Sequence, residues 1–229
     1  CVLELGGNNA FIVLEDANLE KAVATAVNAR MQNAGQSCIA AKRFLVHEKI
    51  VDEFVAKFKV AIQNLKTGNP LDKETQIGSL ARVDLAEELE LQVQKSIQMG
   101  AKLIVGGNGK DAFYEPTILT NVTTEMPVFK EETFGPVAAI ITFKTIEEAI
   151  KLSNQSEFGL GVSIFTQDID FIKTKISAFN EGAVFINDMV KSDPRLPFGG
   201  IKKSGYGREL AEDGIKEFVN VKTIIINTF

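Results

Sequence analysis

Apolar residues recur along the chain at two spacings. Their alternation predicts an α/β fold, a largely parallel twisted sheet with flanking helices. Leu19, Ala22, Val23, Ala26 and Val27 repeat at helical intervals over 19–33. Phe54, Val55, Phe58, Ile62 and Leu65 do the same over 51–65, until Thr67-Gly68-Asn69-Pro70 stops the pattern. A third helix is predicted over 81–99, ended by Gly100, ahead of a short strand at 102–105 and the turn cluster Gly106-Gly107-Asn108-Gly109. Residues 43–47 read as a buried strand, and 137–143 are almost continuously apolar, as in a strand covered on both faces. Thr145 and Glu148 then fit a capping box. Strands at 161–165 and 183–187 flank a helix over 169–179. The tail predicts a helix over 208–218 and an apolar strand over 219–227, which needs a partner edge.

Composition narrows the class. A hydrophobic content of 45% over 229 residues supports a real core in one large domain or two small ones. Lys plus Arg is 25 against 30 Asp plus Glu, a net charge of −5 spread along helices, which argues against a nucleic-acid partner. No apolar run approaches the roughly 20 residues of a membrane helix, and no secretory leader opens the chain. The expectation is a soluble, cytoplasmic protein with no membrane partner. Two cysteines are too few for a disulfide framework and suit a reducing compartment. The one histidine, His47, leaves no material for a zinc cluster, so no metal is expected, and it reads as an incidental surface residue. Catalysis must then run on cysteine, carboxylates, lysines or backbone groups. The chain opens on Cys1 rather than Met, inside an apparent strand, so a fragment lacking its upstream part is expected.

Four segments carry candidate chemistry. In Asn33-Ala-Gly-Gln-Ser-Cys38, Gly35 breaks the preceding helix and leaves Cys38 on a loop, where positive potential would favour the thiolate and attack on a carbonyl. By itself it reads first as a small buried hydrophobe, the common fate of a free cysteine. Glu4, in Leu3-Glu4-Leu5-Gly6-Gly7, is a carboxylate among apolar neighbours whose pKa desolvation would raise towards the general-base range, and the glycines allow close backbone approach. The alternative is a strand residue facing water. Glu131-Glu132-Thr-Phe134-Gly-Pro lies between two apolar strands, where a carboxylate could hold ribose hydroxyls or be a plain solvated pair. The fourth, Leu196 to Glu209, has four glycines between 199 and 207. No strand immediately precedes it and no acidic residue follows at dinucleotide-motif spacing, so it reads as a structural crossing loop.

Together, in this order and over essentially all 229 residues, these segments resemble the NAD(P)-dependent aldehyde dehydrogenases. Glu-Leu-Gly-Gly at 4–7 matches the family's general-base segment, and Gly-Gln-Ser-Cys at 35–38 its nucleophile segment. Glu-Glu-Thr-Phe-Gly-Pro at 131–136 matches its cofactor-ribose segment. Asn187, Pro-Phe-Gly-Gly at 197–200 and Ser-Gly-Tyr-Gly-Arg-Glu at 204–209 match its closing signature. The resemblance implies Cys38 as nucleophile and Glu4 as base, with Glu132, Phe134, Leu5 and Gly6 holding NAD or NADP. It further implies a catalytic domain over 1–207 and a C-terminal helix and oligomerisation strand over 208–229. The dinucleotide-binding domain would be absent from this chain, which would be inactive alone, while the full-length parent would form a homo-oligomer. The family's oxyanion-holding Asn would lie upstream of Glu4.

The run Lys191-Ser192-Asp193-Pro194-Arg195-Leu196-Pro197-Phe198 resembles the succinate-semialdehyde dehydrogenase branch. It implies substrate contacts from Ser192 and Phe198, and Arg195 or Lys191 would favour a carboxylate. One departure is that some of those enzymes carry an Arg where this chain has Gln32. Two rival readings remain. A binding protein that had lost the chemistry should have replaced Cys38 or Glu4, and neither is replaced. Relatives that pass the acyl group to coenzyme A generally lack the base, which is present here as Glu4.

Overall fold

In the computed structural model, residues 1–228 are described. The chain runs β1 (Leu3–Glu4), β2 (Asn9–Val13), α1 (Leu19–Met31), β3 (Ala41–His47), α2 (Val51–Gln63), α3 (Val83–Gln98) and β4 (Lys102–Val105). A small hairpin of β5 (Gly109–Lys110) and β6 (Phe113–Tyr114) follows, then β7 (Thr117–Thr120), α4 (Pro127–Lys130), β8 (Val137–Phe143), α5 (Ile146–Asn154), β9 (Phe158–Gly159) and β10 (Val162–Phe165). The chain continues through α6 (Ile169–Lys173), β11 (Val184–Ile186), β12 (Ile201–Lys202), β13 (Gly205–Tyr206) and α7 (Ala211–Lys216).

Seven strands form the central sheet in the order β11-β10-β2-β3-β8-β7-β4. All neighbours pair in parallel except β4, which runs antiparallel to β7 at one edge. Successive side chains of a strand point to opposite faces, and every residue of β2 and β3 is buried. Both faces of the sheet centre are therefore covered. The core gathers Phe11, Phe44, Phe54, Phe58 and Phe165, with Phe11 and Phe165 stacked at 4.6 Å between ring centroids.

Several helices end short of their predicted limits for local reasons. α1 stops at Met31 because Asn33 and Ala34 both adopt φ 52° and Gly35 φ 76°, three consecutive left-handed residues. The predicted helix over 169–179 breaks into α6 and a single 3-10 turn. At α5 the Thr145 side chain accepts from Glu148 N, while the Glu148 carboxylate accepts from Lys144 N, one residue before the cap. The central strand β2 was not among the elements predicted, and the strand expected over 219–227 is not formed. Val221, Ile224, Ile225 and Ile226 stand exposed, since a strand needs an edge to pair with and none in the described chain meets it. His47, expected on the surface, is buried, with its ring edge against Phe143 and Nε2 hydrogen-bonded to Lys144 O.

Candidate active site

Because β2, β3 and β8 are adjacent and parallel, the segments entering them lie side by side at one edge of the sheet. Those segments carry Glu4, Cys38 and Glu132. The site is thus built at the amino ends of the strands, opposite to the carboxyl-end crevice that open α/β sheets usually offer.

The two glycines after Glu4 bring the segments into contact. A β-carbon on Gly7 would lie 2.5 Å from the Cys38 carbonyl oxygen, and one on Gly6 would lie 2.5 Å from Glu132 Oε2. Gly6 also has φ +141°, in the region that favours glycine. Gly7 N donates to Glu132 Oε1 at 3.1 Å, and Asn9 Nδ2 donates to Ile39 O at 3.0 Å. Alongside the Glu4 strand, β13 pairs with β1 through Leu3↔Tyr206 and Glu4↔Gly205. Leu5 N donates to Ser204 O, and Gly159 N donates to the Ser204 hydroxyl. The glycine-rich segment therefore clamps the Glu4 strand, as a crossing loop would.

Cys38 is half-buried, packed against the cluster of Leu160, Val190 and Phe198 together with Ile39, Phe185 and Leu210. Burial pushes its thiol above the ordinary range; the Lys42 ammonium and the Ile39 N–H pull it down, while Glu4 and Glu132 push it up. The charges of both carboxylates thus reach the sulfur. Local positive potential, expected to favour the thiolate, is present as Lys42 but outweighed by burial. Glu4 is held above the usual carboxylate range, first by burial and then by Glu209, with Arg208 opposing. Its Oε1 is buried without a hydrogen-bond partner. The Cys38 N–H makes no hydrogen bond among the described residues, so it is free to donate to an oxyanion.

The remaining predicted residues divide into two groups. Leu5 and Phe134 expose apolar surface, 64% and 38% respectively, and they flank Gly6 and Glu132 in sequence. Phe198 is buried in the Cys38 cluster. Ser192 and Arg195 lie on an exposed loop whose two ends, Val190 and Phe198, are anchored in that cluster. The Arg195 guanidinium is bound by Asp193 through Nε to Oδ1 at 2.9 Å and Nη2 to Oδ2 at 2.6 Å. Lys191 is bound by Asp188 at 2.6 Å. Asn187 is hydrogen-bonded through its side chain to both backbone groups of Thr166, at the carboxyl end of β10.

Sequence reasoning missed Lys42 and Arg30. The Lys42 side chain is fully buried, and it donates to Ser37 O at 2.8 Å and Cys38 O at 3.0 Å while pairing with Glu132 Oε1 at 3.0 Å. Arg30 is buried beneath the loop and donates to Gly35 O. A Lys-Arg pair opening an otherwise apolar strand, Ala41-Lys42-Arg43-Phe44, was the available signal, since buried charges are kept only with partners.

A chain with this fold and this cleft belongs to the aldehyde dehydrogenase family, which it matches over residues 1–224. It is 50% identical over 227 residues to a succinate semialdehyde dehydrogenase [NAD(P)+] of Escherichia coli, covering 98% of this chain and 49% of that protein. It is equally 50% identical to a probable succinate-semialdehyde dehydrogenase [NADP(+)] of Synechocystis, covering 98% of this chain and 50% of that one. Among solved structures, a glyceraldehyde-3-phosphate dehydrogenase of Methanocaldococcus jannaschii complexed with NADP superposes with TM-score 0.95 at 42% identity, over 99% of this chain and 50% of that one. Succinate-semialdehyde dehydrogenase from Burkholderia pseudomallei superposes with TM-score 0.92 at 39% identity, over 94% of this chain and 45% of that one. The chain spans about half the length of the curated relatives it matches.

Proposed function

We propose that the protein carrying this chain oxidises an aldehyde, specifically succinate semialdehyde, to its carboxylic acid with NAD or NADP, through a thioester on Cys38. The carrying observation is the meeting of the Glu4 and Cys38 segments, with Gly7 against the Cys38 carbonyl and the Glu4 charge acting on the sulfur. The substrate assignment is supported by relatives named for that aldehyde. Ser192, whose hydroxyl makes no hydrogen bond among the described residues, and Phe198 are assigned to the substrate. Arg195 can join them only by leaving Asp193.

The residues fit a dinucleotide. Glu132 Oε1 is occupied by Gly7 N and Lys42, while Oε2 has no hydrogen-bond donor among the described residues and can take a ribose hydroxyl. Leu5 and Phe134 offer exposed apolar surface beside it, and Gly6 keeps the approach open. When bound, the dinucleotide supplies the hydride acceptor. The chain's own residues do the rest. Cys38 sulfur adds to the aldehyde carbon, and the Cys38 N–H faces the developing oxyanion. After oxidation the acyl group rests on sulfur, and Glu4 takes a proton from the water that releases it. Its unpartnered, desolvated carboxylate favours accepting that proton.

We assign the catalytic unit to residues 1–207 and oligomerisation to 208–229. The exposed apolar run at Val221 and Ile224 to Ile226 is what a subunit interface would cover. A steady-state panel of aldehydes with both cofactors on the full-length protein tests the reading. Succinate semialdehyde should give the highest kcat/KM, and preference for an uncharged aldehyde would reject the substrate assignment.

A further inference from the structure

Lys42 stands at the head of β3 with its side chain sealed from solvent. It has three donors, and all three are directed. Two go to the carbonyls of Ser37 and Cys38, and the third meets Glu132 Oε1. The same Glu132 oxygen accepts from Gly7 N, which belongs to the segment that carries Glu4. One ammonium therefore joins the loop bearing the sulfur to the carboxylate assigned to the ribose, and through that carboxylate to the Glu4 segment. Of the charged groups that act most on the sulfur, Glu4 and Glu132 are anions and Lys42 is the cation. Around Lys42, the groups that act are Glu132, Arg30 and Cys38.

We propose that Lys42 is a positioning residue that ties the nucleophile loop to Glu132 and supplies the positive charge the Cys38 sulfur meets when it loses its proton. This rests on the reading of Cys38 as nucleophile. A buried ammonium is retained only where its hydrogen bonds and charge are answered, and here the answering groups are all parts of the cleft. Burial pulls the Lys42 ammonium down, while Glu132 and the Cys38 sulfur itself hold it up, so ammonium and thiolate favour each other's charged form. Its charge therefore depends on Glu132 remaining ionised beside it.

The test is the pH dependence of Cys38 alkylation by iodoacetamide in the full-length protein without cofactor, followed by peptide mass spectrometry. Lys42→Gln keeps two N–H donors and removes the charge. The thiol midpoint should rise by about one pH unit, giving roughly tenfold slower alkylation at a fixed pH below it. If Lys42 served packing alone, loosening the loop would expose the sulfur and the midpoint would fall towards that of an ordinary thiol. A fall or an unchanged midpoint overturns the proposal. Should Lys42→Gln fail to fold, Glu132→Gln gives a second reading with opposite signs. If Lys42 loses its charge with its partner, the midpoint rises; if Lys42 is irrelevant, removing a negative charge beside the sulfur lowers it. The parent reading is tested separately by turnover of Cys38→Ala. If that variant is inactive and the midpoints do not rise, only the assignment of Lys42 falls.

Discussion

The carboxylate of Glu4 sits partly out of water, with Oε1 lacking a partner and Glu209 adding a like charge nearby. A carboxyl whose pKa is raised by folding contributes stability at low pH, and this is lost as pH rises through the folded value. At neutral pH the ionised Glu4 is therefore a burden on the fold, of the sort active sites carry. Glu4→Gln should raise the melting midpoint at pH 7 by up to about 2–4 °C while stopping acyl release, and a scan against pH 4 should show the gain shrinking. A lowered midpoint at pH 7 would contradict this assignment of strain. Cys38 adds a second pH dependence. Because its thiol is held above the ordinary range, alkylation of the cofactor-free protein should reach its midpoint above that of an ordinary free thiol, about 8.5. The roles proposed for both residues could be read from the sequence only in combination with the other motifs. The direction of the thiol shift was not legible, because it depends on how far Leu160, Val190 and Phe198 bury the sulfur.

At the scale of elements, the turn between α1 and β3 sets where the sulfur lies. Three left-handed residues, Asn33, Ala34 and Gly35, reverse the chain, and holding a non-glycine residue such as Ala34 there costs about 1–2 kcal/mol. Gly35 has no room for a side chain, since a β-carbon would collide with the Gly135 carbonyl in the segment entering β8. Gly35→Ala should therefore destabilise the protein by about 2–4 kcal/mol, measured by urea unfolding, whereas a change below about 0.5 kcal/mol would contradict the contact. Gly7 offers a subtler case. Its backbone is ordinary, but a β-carbon would press on the Cys38 carbonyl and on Leu160. Gly7→Ala should lower kcat at least tenfold, with a smaller loss of stability than at Gly35. The helical stripes and the buried strand at 137–143 were readable because burial repeats along them with a fixed period. β2 was not, although Ala10-Phe-Ile-Val is wholly apolar: it follows the Gly6-Gly7 corner directly, and five residues carry too little periodicity to separate it from the strand-like Val2-Leu3-Glu4 before it. The network around Lys42 was also hidden, because its partners are carbonyl groups brought together only by folding.

For the molecule as a whole, one largely parallel sheet explains why residues 4, 38 and 132 lie on neighbouring segments: three adjacent parallel strands begin there. Order in the sequence and parallel pairing suffice for that, which is why the meeting of these three segments could be anticipated, as could the unpaired tail, whose strand pattern lacks a partner edge. Val221 and Ile224 to Ile226 are exposed in the single chain, so deleting 219–229 should leave the melting midpoint within about 2 °C for the monomeric form. Light scattering of the full-length protein should then show the truncated form falling to a lower oligomeric state, and an unchanged assembly would remove the tail from the interface. The central claim, that Cys38 carries the acyl group and Glu4 releases it, is tested most directly by trapping. Full-length Glu4→Gln mixed with succinate semialdehyde and NADP, quenched and mapped by mass spectrometry, should accumulate a succinyl group on the peptide containing Cys38. An acyl group on any other residue, or full turnover with no adduct, would contradict it.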